Sequence, residues 1–425
     1  MISQQTSVSV PHSAWYGDEW IDLDFPDGWE VDVRRMAGGT APALTDDEIR
    51  ESLQHSLDAP KIRQLAGERK RAVVLFDDMT RPTPTSRVAT LVIEELLAGG
   101  MKEDQIRFVA AFGTHMTMTR ADFVQKLGSD LVERFPVYNH NCFENLIEVG
   151  STELGTEMLV NREVMSCDLK IGIGGSIPYW DLGNYGGGAK IVLPAISGID
   201  SIHHHHFKAS TIAAERNDPR VGVLAEGGRD ALRVNMEDAA RLVGLDVKVD
   251  IAINGRREPA KLLVGDPISI WDEARRFGNT HYVTDFGSPA DVVVVNSYPQ
   301  EDQPGGSLGL TVPTLLEGGD LVVLSNSPHG FALQHYLLGR WGTEYGGREW
   351  GGGASWEIES AGRIFIVSPY ISRSEQLSAL ENSKVRWLRN WEEVLPELTA
   401  RHGSTTRVNV FPYAAIQTTF MPALS

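Results

Sequence analysis

The segment RAVVLFDDMTRPTPTSRVATLVIEELLAGG, residues 71–100, joins a β-branched apolar run to a stretch of helical periodicity. In its second half Val88, Leu91, Val92 and Leu96 recur at helical spacing, and the paired glycines at its end stop the helix. Similar short apolar runs alternate with helical patterns over most of the chain. This alternation predicts an α/β fold in which mostly parallel sheets are flanked by helices on both faces.

The alternation of strands and helices runs in two series, with a break near residue 286. Apolar runs of the first series lie at 71–78, 105–115, 168–176 and 246–253, and those of the second series lie at 290–299, 320–328 and 362–369. A length of 425 residues also exceeds what one core usually supports. We therefore predict an N-terminal domain over residues 1–285 and a C-terminal α/β domain over residues 286–425.

Composition limits the partners that the chain can have. The formal net charge is −18, so a nucleic-acid backbone would be repelled, and no Lys/Arg run is longer than the ERKR near residue 70. The two cysteines have no CxxC spacing, which is typical of a reducing compartment. No apolar segment approaches the ~20 residues of a membrane helix. We expect a soluble cytoplasmic protein with a small-molecule partner and no nucleic-acid or membrane partner, and a homo-oligomer is compatible with the sequence.

Polar residues gather after the first two strands of the N-terminal series. In open parallel sheets the ligand crevice lies beyond the carboxyl ends of the strands. DDMTRPTP, residues 77–84, contains Asp78 and Arg81 in a turn stiffened by proline, where a guanidinium fork can take a carboxylate with two parallel bonds. A simple salt bridge within the turn is the alternative. His115 follows a glycine at the end of the second strand, where an imidazole is either a general base or a structural residue.

The stretch GGSIPYWDLGNYGGGAK, residues 174–190, follows the third strand. Its first residues, Gly174, Gly175 and Ser176, can present successive backbone N–H groups to a phosphate. Gly187 and Gly188 permit close approach of the backbone to a flat ligand, with Lys190 pointing at that ligand. A P-loop is excluded, because its lysine would precede a serine or threonine at this spacing.

Four consecutive histidines, residues 203–206, come after this lysine, and the last of them is sixteen residues beyond it. Imidazoles suit nickel, zinc, copper or iron. Adjacent residues on one helix point in different directions, so at most one or two of the four can bind a single ion. The alternative is a solvated helix face without a metal.

Taken together, the motifs Asp78-Met-Thr-Arg81-Pro, Gly-Thr-His115 and GGSIP…GGGAKIVLP, with His206 sixteen residues after Lys190, resemble the nickel-dependent lactate racemase family. The resemblance covers residues 70–210, and the two-domain pattern of the remainder agrees with it. It implies a nickel-pincer nucleotide, which is a pyridinium bisthiocarboxylate mononucleotide that holds nickel. By the same resemblance Lys190 would be its covalent anchor and His206 the protein's nickel ligand. Arg81 would grip a substrate carboxylate beside Asp78, and His115 would be the general base.

The sequence departs from the family pattern at two places. Racemases of this family carry a second catalytic histidine ten residues before the anchor lysine, and Trp180 stands there in this chain. Trp180 and Tyr179 are expected to form an apolar wall for a bulkier substrate, or else to pack under a domain interface. The family also has a glutamine and a lysine after a Tyr-Pro element, whereas SYPQEDQPGGSLG, residues 297–309, has no lysine. Gln300 is the expected substrate-binding replacement, and Gln303 is a second candidate.

The resemblance therefore predicts an isomerase that racemizes or epimerizes a 2-hydroxy acid other than lactate by proton-coupled hydride transfer, in the cleft between the two domains. A one-base oxidoreductase or lyase with the same cofactor is the alternative that Trp180 favours. A non-catalytic binder of nickel or of the nucleotide is an alternative from a different class. The covalent anchor and the carboxylate clamp argue against it, because storage of a metal needs neither.

Overall fold

The computed structural model describes residues 6–178, 185–221, 229–309, 311–331, 358–373, 376 and 382–418. Its strands, in chain order, are β1 (Thr6–His12), β2 (Glu19–Phe25), β3 (Glu30–Val33), β4 (Ser56–Leu57), β5 (Ala72–Asp77), β6 (Ile106–Ala111), β7 (Val137–Asn139), β8 (Leu146–Ser151), β9 (Glu157–Asn161), β10 (Leu169–Gly175), β11 (Val247–Ile253), β12 (Pro259–Gly265), β13 (Ala290–Asn296), β14 (Leu315–Leu324), β15 (Ala361–Val367), β16 (Val385–Leu388) and β17 (Arg407–Phe411). Its helices are α1 (Asp46–Gln54), α2 (Ile62–Glu68), α3 (Thr85–Ala98), α4 (Arg120–Leu127), α5 (Ser129–Arg134), α6 (Arg162–Met165), α7 (Ile199–Phe207), α8 (Ala209–Arg216), α9 (Ala231–Val243), α10 (Ser269–His281) and α11 (Trp391–Thr399).

The chain separates into two compact units. The middle unit contains Ala41–Ile177 and Gly183–Gly278, and the terminal unit contains Met1–Thr40 and Asn279–Ser425. The predicted division placed the first forty residues in the N-terminal domain and the boundary near residue 286. The structure differs because β3 pairs in parallel with β17, and because the Ala37 N–H donates to the Val283 carbonyl. Both contacts join the first forty residues to segments that lie beyond residue 278.

The middle unit is built on a seven-stranded sheet in the order β4-β12-β11-β10-β5-β6-β7. Its central strands pair in parallel, and β12 runs antiparallel to β11. All six residues of β5 are buried, as expected for a parallel strand that is covered on both faces. The fold class predicted from the alternating pattern is therefore confirmed.

The terminal unit has a six-stranded sheet in the order β16-β15-β14-β13-β17-β3, in which every pair is parallel. The antiparallel pair β1 and β2 packs its apolar side chains into the same core as this sheet. In the described part of the chain no helix is long and apolar enough to cross a membrane.

Candidate active site

The predicted site residues of the middle unit follow three neighbouring parallel strands. Asp78 and Arg81 come after β5, His115 comes after β6, and Lys190 lies in a short 3-10 helix, Gly188–Ile191, after β10. Because β5 pairs in parallel with both β6 and β10, the carboxyl ends of the three strands meet at one edge of the sheet. This edge is where ligands bind in open α/β sheets.

Asp78 and His115 form a hydrogen-bonded pair. His115 Nδ1 lies 2.9 Å from Asp78 Oδ2, and the side chains are 12% and 4% exposed. The other carboxylate oxygen accepts the Thr80 N–H at 2.7 Å. Asp78 therefore orients the imidazole, which is a different role from the turn salt bridge with Arg81 that the sequence also allowed.

The charge states of this pair follow from its surroundings. Burial opposes ionisation of Asp78, but the His115 ring and the Arg81 guanidinium together hold the pKa of the carboxyl below its ordinary value. Burial lowers the pKa of His115, although Asp78 acts in the opposite direction. A neutral imidazole beside a carboxylate donates its Nδ1 proton to that carboxylate. Nε2 is then the nitrogen that carries the basic lone pair.

Lys190 lies within electrostatic reach of the other predicted residues. The charges of Arg81 and Lys190 both act on His115, and those of Lys190 and His115 act on His206. Burial, followed by the cations Arg81 and Arg233, holds the pKa of Lys190 well below its ordinary value. Arg81, His115, Lys190 and His206 thus influence one another electrostatically within the middle unit, and their roles in one shared site stay a prediction.

The four histidines of α7 point in different directions. His205 is fully buried and accepts a hydrogen bond from Asn235, whereas His204 contacts Thr156. His206 is exposed at the surface, yet burial among surrounding protein is the main cause that lowers its pKa. Its Nδ1 donates to the Ile202 carbonyl at 2.9 Å, so Nε2 of the neutral ring has the lone pair that a metal requires.

Lys126 is a buried residue of this site that the sequence motifs did not reveal. Its side chain has no exposed surface, and Nζ donates to the backbone carbonyls of Asp78 at 2.9 Å and Arg81 at 3.1 Å. Nζ also forms an ion pair with Asp77 Oδ1 at 2.8 Å. Lys126 therefore fixes both ends of the turn that carries Asp78 and Arg81. A lysine in an amphipathic helix is ordinarily solvated, so nothing in the sequence distinguished this one.

We expect Lys126→Met to lower the free energy of unfolding by about 3–5 kcal/mol, because it leaves the Asp77 carboxylate without its buried cation. Denaturant unfolding of the variant, followed by circular dichroism, measures the change. Lys61→Met, at an exposed lysine, is the matched control. A loss no larger than that of the control would show that the buried pair contributes little.

The backbone phosphate cradle predicted at Gly174, Gly175 and Ser176 is not formed as expected. The Gly175 N–H donates to Asp77 Oδ2 at 3.0 Å, and the Ser176 N–H donates to the Ile251 carbonyl at 3.0 Å. These N–H groups form hydrogen bonds with residues of the neighbouring strands β5 and β11, so they are not available to a phosphate. Contact of these three residues with a cofactor through other atoms stays a prediction.

The glycines before Lys190 pack closely against protein. Gly187 and Gly188 have positive φ values of 78° and 55°. A Cβ on Gly187 would lie 2.5 Å from Asp250 Oδ2, and one on Gly188 would lie 2.6 Å from the Pro267 carbonyl oxygen. Both positions therefore require glycine for the path of the chain. Their predicted approach to a flat ligand is an additional role that stays a prediction.

Of the remaining predicted residues, Tyr179 and Trp180 fall outside the part of the chain that the structure describes. Gln300 is buried after β13 in the terminal unit, where its N–H donates to the Ser297 carbonyl. Within the described parts of the chain, no group of three or more His, Cys, Asp or Glu side chains is arranged to hold a metal ion.

Comparison with known proteins identifies relatives of this chain. Residues 16–218 match the family model described as lactate racemase N-terminal domain. The chain is 23% identical over 351 residues to a lactate racemase of Thermoanaerobacterium thermosaccharolyticum, covering 80% of this chain and 78% of that protein. It is 27% identical over 166 residues to a lactate racemase of Lactiplantibacillus plantarum, covering 38% of this chain and 39% of that protein.

Solved structures share the fold. The lactate racemase apoprotein of T. thermosaccharolyticum superposes with a TM-score of 0.73 at 18% identity, over 97% of this chain and 100% of that one. A protein of Thermotoga maritima superposes with a TM-score of 0.64 at 18% identity, over 89% of this chain and 99% of that one. The family match over residues 16–218 and the sequences of the relatives support the chain as a divergent relative of the lactate racemases, and the solved structures show that it has their fold.

Proposed function

We propose that this chain is a racemase or epimerase of a 2-hydroxy acid other than lactate, and that it works by proton-coupled hydride transfer with a nickel-pincer nucleotide. The observation that supports this most strongly is the Asp78–His115 pair, which lies within electrostatic reach of Arg81 and Lys190. This arrangement joins a base, a carboxylate-binding cation and an amine at one edge of the sheet. A racemase-like activity is also what the relatives' names indicate.

The residues present fit the cofactor. A lysine whose pKa is well below its ordinary value offers a neutral amine, which is the nucleophilic form that covalent attachment needs. His206 has the tautomer of a metal ligand, because its Nδ1–H donates a hydrogen bond to a backbone carbonyl and leaves the lone pair on Nε2. The cations Arg81 and Arg233 suit an anionic nucleotide. Lys190 would therefore anchor the nucleotide, and His206 would coordinate its nickel.

When bound, the cofactor would supply a hydride acceptor for substrate C2. The guanidinium of Arg81 would take the substrate carboxylate with two parallel hydrogen bonds and so fix the position of C2. His115 Nε2 would remove the hydroxyl proton while the Asp78 carboxylate stabilises the resulting imidazolium. The same imidazolium would return the proton when the hydroxy acid forms again.

The substrate proposal depends on residues 179 and 180. Trp180 replaces the second histidine of the family pattern, and Tyr179 precedes it, so we propose that these rings favour a substrate bulkier than lactate. Substrate binding by Gln300 stays a prediction. Loss of the second base also favours the one-base oxidoreductase as the second candidate function.

Incubation of enantiopure 2-hydroxy acids of several sizes in deuterated water tests this proposal. We expect chirality at C2 to invert while the C2 hydrogen remains protium, because a transferred hydride does not exchange with solvent. Chiral chromatography and mass spectrometry measure the two quantities. Accumulation of keto acid without inversion would show the oxidoreductase instead, and inversion with deuterium at C2 would contradict hydride transfer.

A further inference from the structure

Arg233, in the first turn of α9, holds the backbone that precedes Lys190. The residue is 2% exposed, and its Nη2 donates to the Tyr185 carbonyl at 2.6 Å. Its Nη1 donates to the Gly187 carbonyl at 3.2 Å. One planar guanidinium therefore bridges two carbonyls of the same loop, which a single ammonium group does not reproduce.

Trp271 contacts both the Arg233 guanidinium and the loop. The guanidinium carbon of Arg233 lies 4.4 Å from the centroid of the Trp271 ring. The Trp271 indole N–H also donates to the Tyr185 carbonyl, at 3.1 Å. The Gly188 N–H adds a contact with the Asp250 carboxylate at 2.7 Å. Residues 185–188 are thus fixed by three side chains from α9, α10 and β11.

The Gly187 carbonyl connects this clamp directly to the lysine. It accepts the Lys190 N–H at 3.3 Å, which closes the 3-10 turn, and it accepts Arg233 Nη1 as well. A displacement of Arg233 would therefore displace the turn that carries Lys190.

Arg233 also contributes charge. Burial lowers its pKa to about 10, so it stays cationic at neutral pH. The charged groups that act on Lys190 are the cations Arg81 and Arg233, which lower its pKa after burial, and the anions Asp78 and Asp230, which raise it. Lys190 in turn lowers the pKa values of three nearby imidazoles, those of His115, His205 and His206.

We propose that Arg233 is a positioning residue, which fixes the orientation of Lys190 through the Gly187 carbonyl and keeps its amine ready for attachment. This inference rests on the proposed role of Lys190 as the cofactor anchor. Arg233 is expected to touch neither substrate nor the reacting atoms. Its effect is exerted entirely through the loop and through its charge.

The apoprotein is sufficient for the test. Pulses of acetic anhydride are applied from neutral to strongly alkaline pH, and acetylation of Lys190 is measured by peptide mass spectrometry. In this reaction the neutral amine attacks a carbonyl carbon, an N–C bond forms, and acetate leaves while the nitrogen loses a proton. Hydrogen exchange of the peptide containing residues 185–190 is measured in parallel.

In Arg233→Met we expect the pH midpoint of Lys190 acetylation to rise by about one unit, since a nearby cation is lost. Hydrogen exchange in the loop should accelerate roughly tenfold, since two charge-assisted hydrogen bonds are lost. In Arg233→Lys the charge remains, so the midpoint should stay near that of the wild type while exchange still accelerates. Arg276→Met, an exposed arginine of α10 paired with Glu273, is the control and should change neither quantity.

An unchanged midpoint together with unchanged exchange in Arg233→Met would overturn the proposal, and so would an equal change in Arg276→Met. If circular dichroism shows that Arg233→Met does not fold, unchanged exchange in Arg233→Lys overturns it instead. No cofactor takes part in this experiment. Failure of the proposed function would appear separately, as wild-type protein in which Lys190 is reactive but never carries a nucleotide.

Discussion

Replacing Asp78 with asparagine is expected to lower kcat by about 10²–10⁴-fold, which is the usual contribution of a positioned general base. The substitution keeps the shape of the side chain but removes the negative charge that faces His115 Nδ1 at 2.9 Å. An amide that donates to Nδ1 would also select the wrong tautomer, with the proton on Nε2. Steady-state racemization of the preferred hydroxy acid measures the loss.

The pH dependence of kcat/KM is a second test of the Asp78–His115 pair. Neutral His115 is the proposed base, and burial lowers its pKa from 6.5, so the acidic limb of kcat/KM should lie below pH 6.5. Asp78 raises the pKa of His115, so Asp78→Asn should move that limb to still lower pH. Asp130→Asn, at an exposed carboxylate, is the control. Wild-type turnover and an unshifted limb in Asp78→Asn would exclude the Asp78–His115 pair from the reaction.

Lys190→Ala is expected to abolish turnover, because the nucleotide would lose its covalent tether. Tethering raises effective concentration, so its loss should reduce retained cofactor by about 10²–10⁴-fold after gel filtration. His206→Ala should lose nickel while the nucleotide stays attached, because the imidazole is the proposed metal ligand. Nickel content and intact mass, measured on protein made in a host that synthesizes the cofactor, separate the two effects.

His203→Ala is the matched control for His206→Ala. His203 lies three residues earlier on α7, and its ring is tilted against that of Phe207 with a centroid distance of 4.9 Å. We expect this variant to keep its nickel. Loss of nickel from both variants alike, or from neither, would remove His206 from the proposed coordination.

Much of the middle unit could be predicted because its strands are buried on both faces. The apolar run at 71–78 corresponds to β5, Ala72–Asp77, and that at 246–253 corresponds to β11, Val247–Ile253. Such runs are continuous in parallel sheets and are easily distinguished from helices with polar faces. The polar residues that follow them could then be placed at one edge of the sheet. Strand ends and short motifs together located Asp78, His115 and Lys190.

Three features could not be read from the sequence because they depend on distant partners. β3, Glu30–Val33, is a short run whose alternating residues gave no sign that it would pair with β17. Lys126 and Arg233 look like solvated charges of amphipathic helices, and only the fold shows that both are buried against backbone carbonyls. The Gly175 N–H was expected to face a phosphate, but it donates a hydrogen bond to the Asp77 carboxylate instead.

We propose that Lys190 carries a nickel-pincer nucleotide beside His206. Peptide mass spectrometry of wild-type protein from a cofactor-producing host, combined with nickel analysis of the same sample, tests it most directly. We predict a mass increment on the peptide that contains Lys190 and one nickel for each modified chain. An unmodified Lys190 in protein that binds nickel equally well with and without the lysine would contradict the claim.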